Sequence, residues 1–210
     1  TRAGCLWHRR LFVYFPLSVS RARVWLGMCL LLCLCALPWP THAGVLLAVV
    51  SERAAPTALA AARRHLAQYP QDRVLLRTPA QWQQASAREQ DAWLRSADSV
   101  LAVAVFGDAA RALKTSLARS LPPQANLLAF NGEASLSLQS RWRGDSLRDT
   151  PPELLRDLSQ ETPPPAALSA AERQPLLARW LRARQWWQAG GADNAAALFA
   201  AVCAMALSEC

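Results

Sequence analysis

Ser99-Val100-Leu101-Ala102-Val103-Ala104-Val105-Phe106 is the stretch that decides the fold. Eight uncharged residues, rich in valine, sit between Asp98 and Gly107-Asp108. A strand with one wet face would alternate polar and apolar side chains, whereas this run is apolar throughout and reads as a strand covered on both faces. Gly107 then turns the chain, and Asp108 is placed to N-cap a helix over Ala109–Arg119. Upstream, Pro79 to Ser96 reads as helical, with Trp82 and Trp93 as core anchors. Before it, Asp72–Arg77 is a second strand, and a helix runs from Pro56 through Leu66 until Pro70 ends it. Val45-Leu46-Leu47-Ala48-Val49-Val50 is another continuous apolar run, and Asn126–Phe130 is a fourth strand, closed by Asn131-Gly132. Strands alternating with helices predict an α/β domain over residues 44–135. Its sheet is expected to be parallel, with helices on both faces, in a Rossmann-like or flavodoxin-like arrangement.

The composition changes after this domain. Residues 136–168 read as a polar and Pro-rich connection. Leu136–Asp149 is Arg-rich, Pro151-Pro152 opens a short helix over Glu153–Ser159, and Thr162-Pro163-Pro164-Pro165 is a stiff linker. Residues 169–210 read as a helical hairpin. Leu176, Leu177, Trp180, Leu181 and Trp187 form one stripe, Gly190-Gly191 ends the first helix, and Asp193 or Asn194 caps a second over Ala195–Leu207. That second helix is apolar nearly all round and calls for partners on every side. The hairpin is therefore expected to begin a further domain that continues in a longer protein.

Residues 1–43 read as a leader with a signal peptide. Arg21 and Arg23 precede the apolar run Val24–Leu37, Pro38 and Pro40 break it, and Thr41-His42-Ala43 supplies small residues for a cleavage site. The run is shorter than the ~20 residues of a spanning helix. The expected location is therefore the periplasm, with no stable membrane span after cleavage. The alternative is an inner-membrane anchor formed by residues 24–37. The leader also explains much of the formal charge of +8. It holds five arginines and no acid, leaving 18 basic residues against 15 acidic ones beyond it, a net of +3. Those arginines are interleaved with Asp and Glu rather than clustered with stacking aromatics, which argues against nucleic acid as a partner. Of the six cysteines, Cys203 and Cys210 lie outside the leader, too few for a disulfide framework.

Motifs that carry chemistry are sparse. Beyond the leader His65 is the single histidine, placed mid-helix as a structural or solvent-facing residue, so neither a catalytic triad nor a closely spaced zinc ligand set is read. No catalytic residue and no metal ligand is assigned. The first strand runs into Ser51-Glu52-Arg53-Ala54-Ala55 rather than a glycine fingerprint, which disfavours dinucleotide binding. In open α/β sheets ligands collect outside the carboxyl ends of the strands. The candidate cleft there is lined by Glu52, Asp108, Asn131 and Glu133. Caps and turns are the competing use of these same residue types.

Three segments together carry a family resemblance: Val103–Asp108, the stretch LLAFNGEASLSLQSRWRGDSL over Leu127–Leu147, and WWQAGGADNAAALF over Trp186–Phe199. In order and spacing they resemble the N-terminal region of the CobN / magnesium-chelatase H family, the large subunits of metal chelatases, over residues 44–204. The resemblance implies a tetrapyrrole or corrinoid as substrate, cobalt or magnesium as the inserted metal, and ATP hydrolysed on separate AAA+ subunits. It also implies that metal-handling residues lie in later domains, so none is carried over here. An export signal sits poorly with a cytosolic ATP-driven motor. The alternative function is a non-enzymatic periplasmic binding or scaffold module. The leader predicts export with cleavage after Ala43: mass spectrometry of the mature protein is expected to find Gly44 as the first residue, and a chain that retains Val24–Leu37 in the membrane excludes cleavage.

Overall fold

The computed structural model describes residues 43–204. The leader up to residue 42, Cys210 and the end of the helix read to Leu207 lie outside the described residues. The four expected strands are present as β1 (Val45–Val50), β2 (Arg73–Arg77), β3 (Ser99–Val103) and β4 (Asn126–Phe130). They pair in parallel in the order β2-β1-β3-β4. The chain therefore runs outward from β1 to β2, then crosses back over β1 to lay down β3 and β4.

One edge departs from the fully parallel expectation. The segment read as a polar connection contributes β5 (Arg141–Trp142) and β6 (Asp145–Ser146), both antiparallel, so the sheet is mixed and six-stranded. A two-residue turn joins them, with Arg143 at φ 50° and Gly144 at φ 88°. The tight hairpin turn with both central residues at positive φ is ordinarily signalled by Asn-Gly or Asp-Gly, and Arg-Gly hides it. Trp142 anchors the hairpin in the core. The Arg141 guanidinium donates to the carbonyl of Ala125 at 3.0 Å and to that of Pro122, tying β5 to the loop before β4.

Each face of the parallel sheet needs a cover. Leu47, Val49, Val100, Ala102, Leu127 and Ala129 point to one side, where they meet Trp82, Leu94, Leu113 and Leu117. Those residues come from α2 (Pro79–Gln84), α3 (Ala87–Ser96) and α4 (Gly107–Ser120), and the short α5 (Ala134–Ser137) adds Leu136 to the same face. The opposite face presents Leu46, Ala48, Val50, Leu101, Val103, Leu128 and Phe130. Among helices of the strand–helix alternation, only α1 (Ala55–Gln68) lies there. The rest of the cover comes from beyond residue 135: α6 (Pro152–Leu158), α7 (Pro165–Glu172), α8 (Pro175–Gln188) and α9 (Gly191–Ala204). Residues from this stretch and the hairpin thus pack onto the sheet of residues 44–135. The apolar helix α9 finds its partners in α1, α8 and β1, with Leu198, Phe199, Val202 and Cys203 buried.

Local boundaries follow from capping and backbone chemistry. The expected single helix over Pro79–Ser96 is two, because Ala85 is extended (φ −70°, ψ 143°) and Ser86 starts α3. Thr78 with Gln81, and Ser86 with Glu89, each form a reciprocal capping box. β3 stops at Val103 because Ala104 takes φ 54°, so the strand read to Phe106 is three residues too long. Asp108 is not the N-cap of α4: Phe106 holds that position, and Asp108 lies in the first turn as an ion-pair partner of Arg111. At the hairpin, α9 begins at Gly191, so neither Asp193 nor Asn194 caps it from outside. Asp193 pairs with Arg64 of α1, and Asn194 Nδ2 donates to the Gly190 carbonyl at 2.8 Å. Trp82 is fully buried with Trp93 tilted against it at 5.8 Å, as expected of core anchors, whereas Trp186 and Trp187 are only partly buried against the core.

The loops after β3 and β4 meet backbone to backbone. Glu133 N donates to the Val105 carbonyl at 3.0 Å, and a Cβ built on Gly132 would lie 2.6 Å from that same oxygen. Backbone atoms cannot rotate aside as a side-chain tip can. Gly132→Ala is therefore expected to destabilise the protein by about 1–3 kcal/mol, the range of overpacked sites, read as a lower urea midpoint at unchanged slope.

Candidate functional site

The carboxyl ends of the strands are where sequence reasoning places a cleft, and the structure accounts for each of its four residues. Glu52, in the turn between β1 and α1, accepts from Ala80 N at 3.0 Å and so satisfies a free amide of α2. That hydrogen bond, chiefly, holds the Glu52 carboxyl below its ordinary pKa. Glu133 accepts from Gly107 N at 3.2 Å, at the start of α4. Asp108 is exposed and paired with Arg111. Asn131 takes φ 54° at the end of β4 and accepts from Arg184 Nε at 3.0 Å. Glu52, Asn131 and Glu133 thus each tie a loop or a helix end in place, whereas Asp108 pairs within the first turn of α4.

Arg184 is the charged group that the sequence did not single out. It lies on α8 at 4% exposure and reaches across to the loop after α6. Its guanidinium donates to the Leu158 carbonyl at 3.0 Å, to the Ser159 carbonyl and to Asn131 Oδ1. Burial pulls the guanidinium below its ordinary pKa. A planar fork donates to three fixed oxygens from three separate nitrogens, whereas the donors of a lysine all sit on one nitrogen. Beside this junction a cavity of 280 Å³ opens between Asn131, Ser137, Leu155, Arg156 and Ser159.

A second concavity, of 270 Å³, separates the helical hairpin from the β4–β5 edge. Leu128, Trp142, Ala183, Trp186 and Leu198 form its walls, and Arg179 and Arg182 stand along α8 beside it. The Arg179 guanidinium lies 5.8 Å from the centre of the Trp142 ring. Apolar and aromatic walls with a few cationic groups suit a ligand that has an apolar body and an acidic arm.

At the opposite, amino-terminal edge of the sheet the fold assembles a cluster that no spacing announced. His65, in the last turn of α1, Asp72, just before β2, and Cys203, on α9, are all buried. His65 Nε2 and Asp72 Oδ2 are 2.9 Å apart, and the other Asp72 oxygen accepts from Gly44 N at 3.1 Å. The Tyr69 ring lies against His65 at 5.0 Å. Asp98, at the start of β3, is close enough to act on the cysteine electrostatically and binds Val45 N at 2.9 Å. Burial, aided by Asp72 and Asp98, pushes the Cys203 thiol up to about 12. A thiol held protonated is a poor nucleophile. His65 is buried beside Asp72, and Cys203 is a free thiol. Positions 65, 72 and 203 match no short motif; the one sequence signal was that His65 and Cys203 are rare residue types outside the leader.

No family model, no curated protein and no solved structure matches this chain. The weight of each residue at the strand ends can be tested directly. Arg184→Met leaves two carbonyls and Asn131 Oδ1 without their donor and is expected to cost about 3 kcal/mol. Arg184→Lys should recover only part of it. Asp108→Ala removes an exposed pair and should change stability by less than about 0.5 kcal/mol. Urea denaturation of the three variants measures the contrast.

Proposed function

We propose that this chain is the N-terminal α/β module of an exported, CobN-like chelatase large subunit, and that it supplies one wall of a tetrapyrrole or corrinoid site without performing the metal insertion. The observation that carries this reading is the 270 Å³ cleft, built by the hairpin that bears the most specific part of the resemblance. A conjugated macrocycle offers flat apolar faces to Trp142 and Trp186 and acidic arms to Arg179 and Arg182. At 270 Å³ the cleft lies just below the ~300–1,000 Å³ that encloses a drug-sized ligand. It suits one edge of such a ring, with the remaining surface, the cobalt or magnesium substrate chemistry and the ATP-driven AAA+ subunits belonging to other parts of the assembly. The order β2-β1-β3-β4 supports the flavodoxin-like form of the doubly wound sheet over the Rossmann-like form.

The engagement of Glu52, Asn131 and Glu133 in loop closure favours one competing reading, a non-enzymatic periplasmic binding or scaffold module. Titrating the purified chain with a porphyrin and a corrinoid, followed by tryptophan fluorescence, separates the two. A partial wall predicts saturable quenching with Kd of ~10 µM or weaker, about −7 kcal/mol or less favourable, and lost in Trp186→Ala. No quenching at any concentration favours the scaffold. Submicromolar binding abolished by Asp108→Ala or Asn131→Ala moves the site to the strand ends and overturns the cleft.

A further inference from the structure

We propose that His65, Asp72 and Cys203 form a buried site for a zinc-type divalent cation at the amino-terminal edge of the sheet. One donor atom from each residue lies within 4.8 Å of the others, and all three side chains are buried. Around a tetrahedral ion with bonds of about 2.0–2.3 Å, neighbouring donors stand roughly 3.3–3.6 Å apart. The cluster therefore closes on an ion with side-chain shifts of about 1 Å. Imidazole, carboxylate and thiolate together suit a borderline cation such as zinc, and not magnesium or calcium, which take oxygen donors.

The surroundings are those of a cation site rather than of an apolar contact. His65 Nδ1 is buried without a hydrogen-bond partner. Gly44 N holds one Asp72 oxygen and thereby turns the other toward His65, the orienting contact that ligating carboxylates commonly receive. Tyr69 fixes the imidazole plane from the side. Asp98 adds a second negative group, and its carboxylate is already engaged by Val45 N. Three protein donors leave the fourth position to a water. On binding, a metal–sulfur bond forms, the Cys203 S–H bond breaks, and its proton leaves to solvent.

The three donors come from α1, the β2 approach and α9, so an ion here would staple the last helix of the module to its first strand–helix–strand unit. The purified chain, stripped of metal by a chelator, is titrated with Zn²⁺ and, as an optical stand-in, with Co²⁺. One ion per chain, release of about one proton per ion, a higher Tm and a thiolate-to-cobalt charge-transfer band are expected. The band should vanish in Cys203→Ser and survive in Cys210→Ser, and Asp72→Asn should weaken binding by ~10-fold or more. A band that persists in Cys203→Ser, or a wild-type chain with neither band nor Tm shift at saturating metal, overturns the site. Should the variants fail to fold, alkylation mapping of the wild-type chain decides: Zn²⁺ is expected to slow labelling of Cys203 by ~10-fold or more, and equal rates refute the proposal.

Discussion

A parallel sheet has two apolar faces, and the rest of this structure follows from the need to cover the second. The crossovers from β2 to β3 and from β3 to β4 put α2, α3 and α4 on one side. The crossover from β1 to β2 puts α1 alone on the other. One helix cannot shield Leu46, Val50, Leu101, Val103, Leu128 and Phe130 from water, and each fully exposed aliphatic side chain of this size would forfeit about 1.5–3 kcal/mol. The hairpin α8–α9 is the answer. Trp180, at its centre, buries its indole and donates Nε1–H to the Ala129 carbonyl at 2.7 Å, so even the polar atom of the cover is satisfied.

That constraint also separates what was legible in the sequence from what was not. β1, β3 from Val100 and β4 from Leu127 are continuous apolar runs, legible because burial on both faces leaves no room for polar side chains, whereas β2, with arginine at both ends, is only partly buried. The pattern of elements up to Phe130 follows from them. The join between residues 44–135 and 169–210 was not legible, because periodicity reports which face of a helix is apolar but not which surface that face meets. Helix α9 illustrates the point: its all-round apolar character was read correctly, and its partners are α1, α8 and β1 of the same unit. The break at Ala85, by contrast, was in plain view, since Ser86-Ala87-Arg88-Glu89 has the form of a capping box.

The candidate residues at the strand ends show the complementary lesson. Their positions were derived correctly from topology, yet position alone does not distinguish a ligand group from a cap. Glu133 and Glu52 accept from backbone amides, and Asn131 accepts from Arg184, a residue 53 positions later. Arg184 was one of many arginines in the sequence, marked by nothing local. The cluster at His65, Asp72 and Cys203 is similar: its members come from three elements, and only the closing of α9 over α1 brings the thiol near the imidazole.

The hairpin's return to the sheet has a temporal consequence as well. Arg64 and Asp193, which pair where α9 lies on α1, are separated by 129 residues. Contacts of such long sequence separation carry a large loop-closure entropy and slow folding. A chain emerging from a ribosome would present β1, β2 and β3 with one face covered by α1 alone until the hairpin had followed. During that interval the unshielded valines and leucines are a surface for misassembly or for a holdase. Vectorial synthesis thus sets the order in which this sheet can be closed, and its first strand is among the last to be sealed.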